Sequence, residues 1–221
     1  MADNLREYRK GVHRAEATQN SRVTQAIQGR RSIRRYVPGE EGAVPRETIE
    51  EILRAGIQAP SAKNRQPWSF VVAAGRAKEE ALDAMEAGLE RERTSPLLPE
   101  SAAHLPDAWQ SLKIMRQAPV VIFVVNPLGV KVGESLTVDE HVTEICNAQS
   151  IGAAMENIAL AAWEQGLGSL WICNTFFAQR ELRSWLRAEG ELYAAMALGY
   201  ANETPQARPR RSLEEVVEWR E

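Results

Sequence analysis

Between Glu140 and Gln165 the chain places Ile145, Ile151, Ala154, Met155, Ile158, Ala159, Ala162 and Trp163 on more than one face of the long helix that their spacing predicts. A helix apolar on several sides needs partners all round, so it is expected at the centre of the molecule. Cys146, Asn147, Gln149, Ser150, Glu156 and Asn157 interrupt its apolar surface. Those groups would be costly in hydrocarbon, so the stretch is expected to be a buried helix and not a membrane span.

The rest of the chain supplies the partners. Trp68 to Ala74, Val120 to Val125, Ser169 to Ile172 and Tyr193 to Tyr200 read as strands. Helices are predicted over Ser21 to Gln28, from Pro45 through Ile57, from Arg76 to Arg91, around Leu112, Ile114 and Met115, and from Gln179 to Glu189. Residues 94–106 and 126–139 read as loops, and Leu213 to Trp219 as a short segment able to add at a sheet edge. Residues 1–20 are polar and aperiodic, which suggests an arm that is disordered or packs on a partner subunit, leaving 21–221 as one domain.

Composition narrows the function. A formal net charge of -3 argues against a general nucleic-acid binder, which normally carries a basic excess. Cys146 and Cys173 are too few for a disulfide framework or a zinc site, and His13, His104 and His141 share no metal-like spacing, so no metal is expected. The charged stretch Met1 to Lys10 has no signal-peptide core, and a reducing cytoplasm is the expected compartment.

Two segments could carry chemistry. Arg30 to Arg35 holds four arginines in six residues at a helix end, where guanidinium forks suit phosphate oxygens; read alone, the run is equally a solvated basic face. Pro60-Ser61-Ala62-Lys63-Asn64-Arg65-Gln66-Pro67-Trp68 is dense in short amide and hydroxyl groups just before a strand. Such a loop can hydrogen-bond a polar heterocycle or serve as an ordinary capped connection. Trap-like aromatics at Trp171, Phe176 and Phe177 either line a cavity or pack the core.

Taken together, Arg30-Arg31-Ser32-Ile33-Arg34 and the Pro60 to Trp68 loop resemble the nitroreductase family of FMN enzymes. Gly152-Ala153-Ala154-Met155-Glu156-Asn157, Gly166-Leu167-Gly168-Ser169-Leu170-Trp171-Ile172, Leu198-Gly199-Tyr200 and the tail from Arg208 to Val217 are similar to later parts of that family. The resemblance implies an α+β fold, with a mostly antiparallel sheet wrapped by helices. It also implies an intertwined homodimer with an exchanged carboxy-terminal strand and FMN at the interface.

By the same resemblance, Arg30, Arg31, Ser32, Arg208 and Arg210 would hold the phosphate and ribityl chain, and Arg34 would lie at the pyrimidine edge of the flavin. Pro60, Ser61, Asn64 and Gln66 would come from the other subunit. Backbone amides near Cys173 and Asn174 would face flavin N5, although many members carry Glu-Gly there; Ser111 and Ile114 stand where some members supply an amide and a lysine, so that contact is expected to be absent or replaced. The implied activity is ping-pong hydride transfer from NADH or NADPH to small acceptors such as nitroaromatics and quinones, with no side chain required as nucleophile or general acid. Other FMN chemistries on the same fold, and an anion-binding or nucleic-acid-binding module, are the alternatives.

Overall fold

Val120–Asn126 is buried along its whole length and forms the strand around which the sheet is built. The computed structural model describes residues 21–221; the arm expected over 1–20 lies outside them. In chain order the elements are α1 (Arg22–Gly29), α2 (Arg46–Gly56), β1 (Ser69–Ala74), α3 (Gly75–Thr94), α4 (Leu105–Gln117), β2 (Val120–Asn126), α5 (Val138–Glu164), β3 (Leu167–Ile172), α6 (Gln179–Leu186), β4 (Glu191–Tyr200) and α7 (Leu213–Val216). The strands lie in the order β1-β2-β4-β3, and every pairing is antiparallel.

Alternation along β2 divides the core. Val121, Phe123 and Val125 face a cluster built with α3, α4 and α6, whereas Val120, Ile122 and Val124 face α2 and α5. Opposite Val124 and Val125 the register of β4 slips. That irregularity lets Leu192 share a face with Ala195 and Ala197, out of simple alternation. Each face of the sheet is thus covered by helices, and α5 lays Ile151, Met155 and Ile158 against one of them. No helix among the described residues is long and apolar enough to cross a membrane.

Three features differ from the sequence expectation. The loop expected over 94–106 is mostly helical: α3 runs to Thr94, a 3-10 turn covers Pro99–His104, and α4 starts at Leu105. Pro99 and Pro106 occupy first turns, where a missing N–H costs nothing, so here they start helices. The intervening corner is closed by Glu92, 4% exposed, whose carboxylate accepts the amides of Leu97 at 2.9 Å and Leu98 at 2.7 Å.

Within the segment 213–219, Leu213–Val216 forms the short helix α7, and the segment pairs with no strand among the described residues. A reciprocal capping box between Ser212 and Glu215 favours the helical turn there. Finally, α5 is not covered on all sides: Val138, Val142 and Ile145 are 82%, 54% and 47% exposed. The expected partners for that end of the helix do not come from the described residues.

Candidate functional site

The arginine run is held against the sheet by backbone pairing. Ser21 caps α1 by accepting the Thr24 amide at 3.2 Å, and α1 ends at Gly29, where a Cβ would fall 2.6 Å from the Trp163 ring. Beyond it the chain extends along β3: Ser32 bridges Ser169, and the Ile33 amide donates to the Ser169 carbonyl at 3.0 Å. The Tyr36 hydroxyl is buried, donating toward the Ile33 and Ala197 carbonyls, and desolvation followed by the nearby Glu203 charge pushes its pKa up.

The same ribbon fixes the tail. Asn202 donates its amide to the Arg35 carbonyl at 2.9 Å, and the Glu203 carboxylate accepts the amides of Arg34 and, at 3.2 Å, of Arg35. Chain beyond Glu203 therefore starts from a fixed point and returns past the arginines. Between the two stretches lies a cleft of about 200 Å³ lined by Arg30, Arg31, Ser32 and Arg34 on one side and by Gln206, Arg208 and Arg210 on the other.

No carboxylate lines this cleft. Arg30 has Glu156 at 3.2 Å, but its Nε is buried without a correctly directed acceptor. Arg31 donates to the carbonyls of Gln28 and Arg30, Arg34 to that of Ser32, and Arg210 to those of Arg208 and Pro209. Among the described residues, none of Arg31, Arg34, Arg208 and Arg210 forms an ion pair. Five guanidinium groups thus face one cleft whose neighbouring carboxylates, Glu156 and Glu203, lie outside its lining, a donor set that suits a dianionic phosphate.

The Pro60 loop takes an unusual backbone path. Lys63, Asn64 and Gln66 have φ of 54°, 52° and 49°, left-handed values that cost on the order of 1 kcal/mol each for residues with a Cβ. Two hydroxyls stabilise it: Ser61 Oγ accepts the Gln66 amide at 3.0 Å, and Ser150 Oγ of α5 accepts the Ala62 amide at 3.3 Å while donating to the Cys146 carbonyl at 2.8 Å. Asn64 and Gln66 are left exposed. Pro60, Ser61, Asn64 and Gln66 do not line the arginine cleft of the same chain.

Cys173 and Asn174 follow β3 at the far end from Gly168. Desolvation pushes the Cys173 thiol up against a weaker hydrogen bond with Trp171, so the sulfur stays protonated at neutral pH and is not an activated nucleophile. Asn174 Nδ2 donates to Ser111 Oγ at 3.0 Å, and Ser111 donates to the Asp107 carbonyl at 3.0 Å. Ser111, set aside in the sequence reading, therefore ties α4 to the turn after β3. No local pattern signals a link between positions so far apart in the chain.

A second cavity, about 540 Å³, lies beside Cys173 and is walled by Trp171, Phe176, Ile145 and Met155. Phe177, by contrast, is core, 4% exposed. His141 lies at this cavity's edge, while His104 is an exposed neighbour of Asp107.

An antiparallel sheet between helical layers, with an arginine cleft set against its edge strand, defines an α+β protein with a donor set suited to an anion. The Nitroreductase family profile matches residues 27–200, and the chain belongs to the nitroreductase family. It is similar to an NADH dehydrogenase of Thermus thermophilus, 31% identical over 210 residues that make up 86% of this chain and 92% of that one. A relative in Methanothermobacter thermautotrophicus is 29% identical over 151 residues, 67% of this chain and 59% of its own length. A solved protein of Desulfovibrio desulfuricans, in complex with FMN, superposes with a TM-score of 0.67 at 29% identity, covering 91% of this chain and 98% of that one.

Proposed function

We propose that this protein binds FMN between two copies of the chain and passes electrons from NADH or NADPH to small electron-poor acceptors such as nitroaromatics and quinones. The observation that carries the reading is the arginine cleft, five guanidinium groups with no lining carboxylate. The family membership and the FMN-bound relative support the choice of anion.

In this reading Arg30, Arg31, Arg208 and Arg210 bind the phosphate, Ser32 binds the ribityl chain, and Arg34 places positive charge at the pyrimidine edge. Bound FMN supplies reversible two-electron chemistry at N5. Backbone amides at Cys173 and Asn174 orient the ring edge, with Asn174 held in place by Ser111. Pro60, Ser61, Asn64 and Gln66 reach the ring from the partner copy, consistent with their separation from the cleft on their own chain. The exposed Val138, Val142 and Ile145 of α5 supply apolar surface for that association. Donor and acceptor then use one site in turn, and no protein nucleophile takes part.

Anaerobic absorbance titration tests this. The purified protein, loaded with FMN, is expected to bleach on addition of NADH or NADPH and to recover its band when a quinone is added. A flavin band that neither nucleotide bleaches would leave FMN binding in place and remove the reductase assignment; failure to bind FMN would remove both.

A further inference from the structure

The arginine cleft and the cavity beside Cys173 are joined by two elements running between them. At the cleft, Arg30 meets Glu156 of α5 at 3.2 Å and Ser32 pairs with Ser169 of β3. Midway, the Trp171 ring lies over Gly152, 3.7 Å from where a Cβ would stand. At the cavity, the same elements contribute Ala148 and Cys173. The eight helical steps from Glu156 to Ala148 span about 12 Å, and the four steps from Ser169 to Cys173 about 13 Å. The two rulers agree on a separation that suits a ribityl chain between a phosphate and its ring.

We infer that this cavity is the acceptor site and that the Glu144 carboxylate, held by Tyr193, makes it select neutral aromatic acceptors over anionic ones. The inference rests on the FMN reading above. Its volume of about 540 Å³ and its walls of Trp171, Phe176, Ile145 and Met155 suit a small flat apolar molecule.

The charges at the cavity decide which molecule. Glu191 is 1% exposed and is neutralised by Arg183 at 3.4 Å, with the Gln179 side chain and the Val132 amide also donating to it. Lys131 and Glu134 offset each other at 3.8 Å. Glu144 has no cationic partner among the described residues. Among the described residues its hydrogen-bond partner is the Tyr193 hydroxyl, which donates to it and accepts from Asn126 Nδ2 at 2.9 Å. The Tyr193 proton is thus committed to Glu144 and is not offered to a ligand. An acceptor carrying a carboxylate would bring a second negative charge to a partly desolvated wall, an arrangement that sets specificity by repulsion.

The test uses the FMN-loaded protein and a pair of unreactive ligands of similar shape, benzamide and benzoate, with dissociation constants read from the perturbation of the flavin band. Benzamide is expected to bind about tenfold more tightly, about 1.4 kcal/mol. Nitrobenzene is expected to exceed 4-nitrobenzoate in kcat/KM in the same sense. Glu144→Gln should bring the two ligands within about threefold with FMN affinity unchanged, whereas Tyr193→Phe, which keeps the carboxylate, should preserve the discrimination. Equal or tighter benzoate binding by the natural protein, or an unchanged ratio in Glu144→Gln, would overturn the inference while leaving FMN reduction by NADH or NADPH intact. Loss of FMN binding itself would overturn the function on which it depends.

Discussion

Arg208 stands in the wall of the cleft, exposed and with no ion pair among the described residues. Its side chain is therefore available to a ligand and contributes little to the fold. Arg208→Ala is expected to weaken FMN binding by roughly tenfold to a hundredfold, the value of one charge-assisted hydrogen bond at about 1.5–3 kcal/mol. The melting temperature of the FMN-free protein should stay unchanged. Fluorescence titration of FMN and a thermal melt check both halves, and a drop in the melting temperature without a loss of affinity would assign Arg208 to the fold. This arginine was legible in the sequence only through the resemblance of the Arg208 to Val217 tail to the nitroreductase family. Glu203, which fixes the tail by accepting the amides of Arg34 and Arg35, was not, since a single acidic residue shows nothing of backbone amides far away in the chain. The Ser111–Asn174 bond was hidden for the same reason.

The elements were easier to read than their joints. The four strands are read from short apolar, β-rich runs and the central helix from its helical spacing, signals contained within each segment. Residues 94–106 read as a loop but are mostly helical, because Pro99 and Pro106 sit in first turns and Glu92 closes the corner through space, a contact that no local pattern shows. Gly168 is a joint of functional interest. A Cβ there would lie 2.5 Å from Ile33 Cγ1 and 2.8 Å from Ile33 Cβ, so the arginine ribbon can pair with β3 only over a bare backbone. Gly168→Ala is expected to push the ribbon away, at a cost of about 1–3 kcal/mol in stability and with weaker FMN binding through displacement of Arg30 and Ser32. Shortening the opposing side chain, in the double variant with Ile33→Ala, should recover part of the affinity. Measured FMN affinity equal to that of the natural protein in Gly168→Ala would show that the ribbon does not depend on this close approach.

At the scale of the molecule the sequence carried a demand that residues 21–221 of one chain do not meet. The long helix was apolar on more than one face, yet in the folded chain Val138, Val142 and Ile145 remain largely exposed, and the strained loop bearing Asn64 and Gln66 stands apart from the arginine cleft. In the dimer proposed above a second copy would resolve both, covering the helix and bringing its own loop to the first copy's cleft; one-chain periodicity cannot show which surfaces would meet across such an axis. The arrangement predicts complementation. A chain with Arg30→Ala and Arg208→Ala lacks the phosphate wall, and a chain with Asn64→Ala and Gln66→Ala lacks the ring loop. Each is expected to bind FMN poorly on its own. In a mixed dimer, assembled by coexpression with two different affinity tags, one interface combines the intact wall of one chain with the intact loop of the other, while the second interface combines both defects. FMN titration of the purified mixed dimer should then give one site of natural affinity per dimer. If wall and loop instead served the same chain's site, every site in the mixed dimer would carry one defect and none would recover natural affinity.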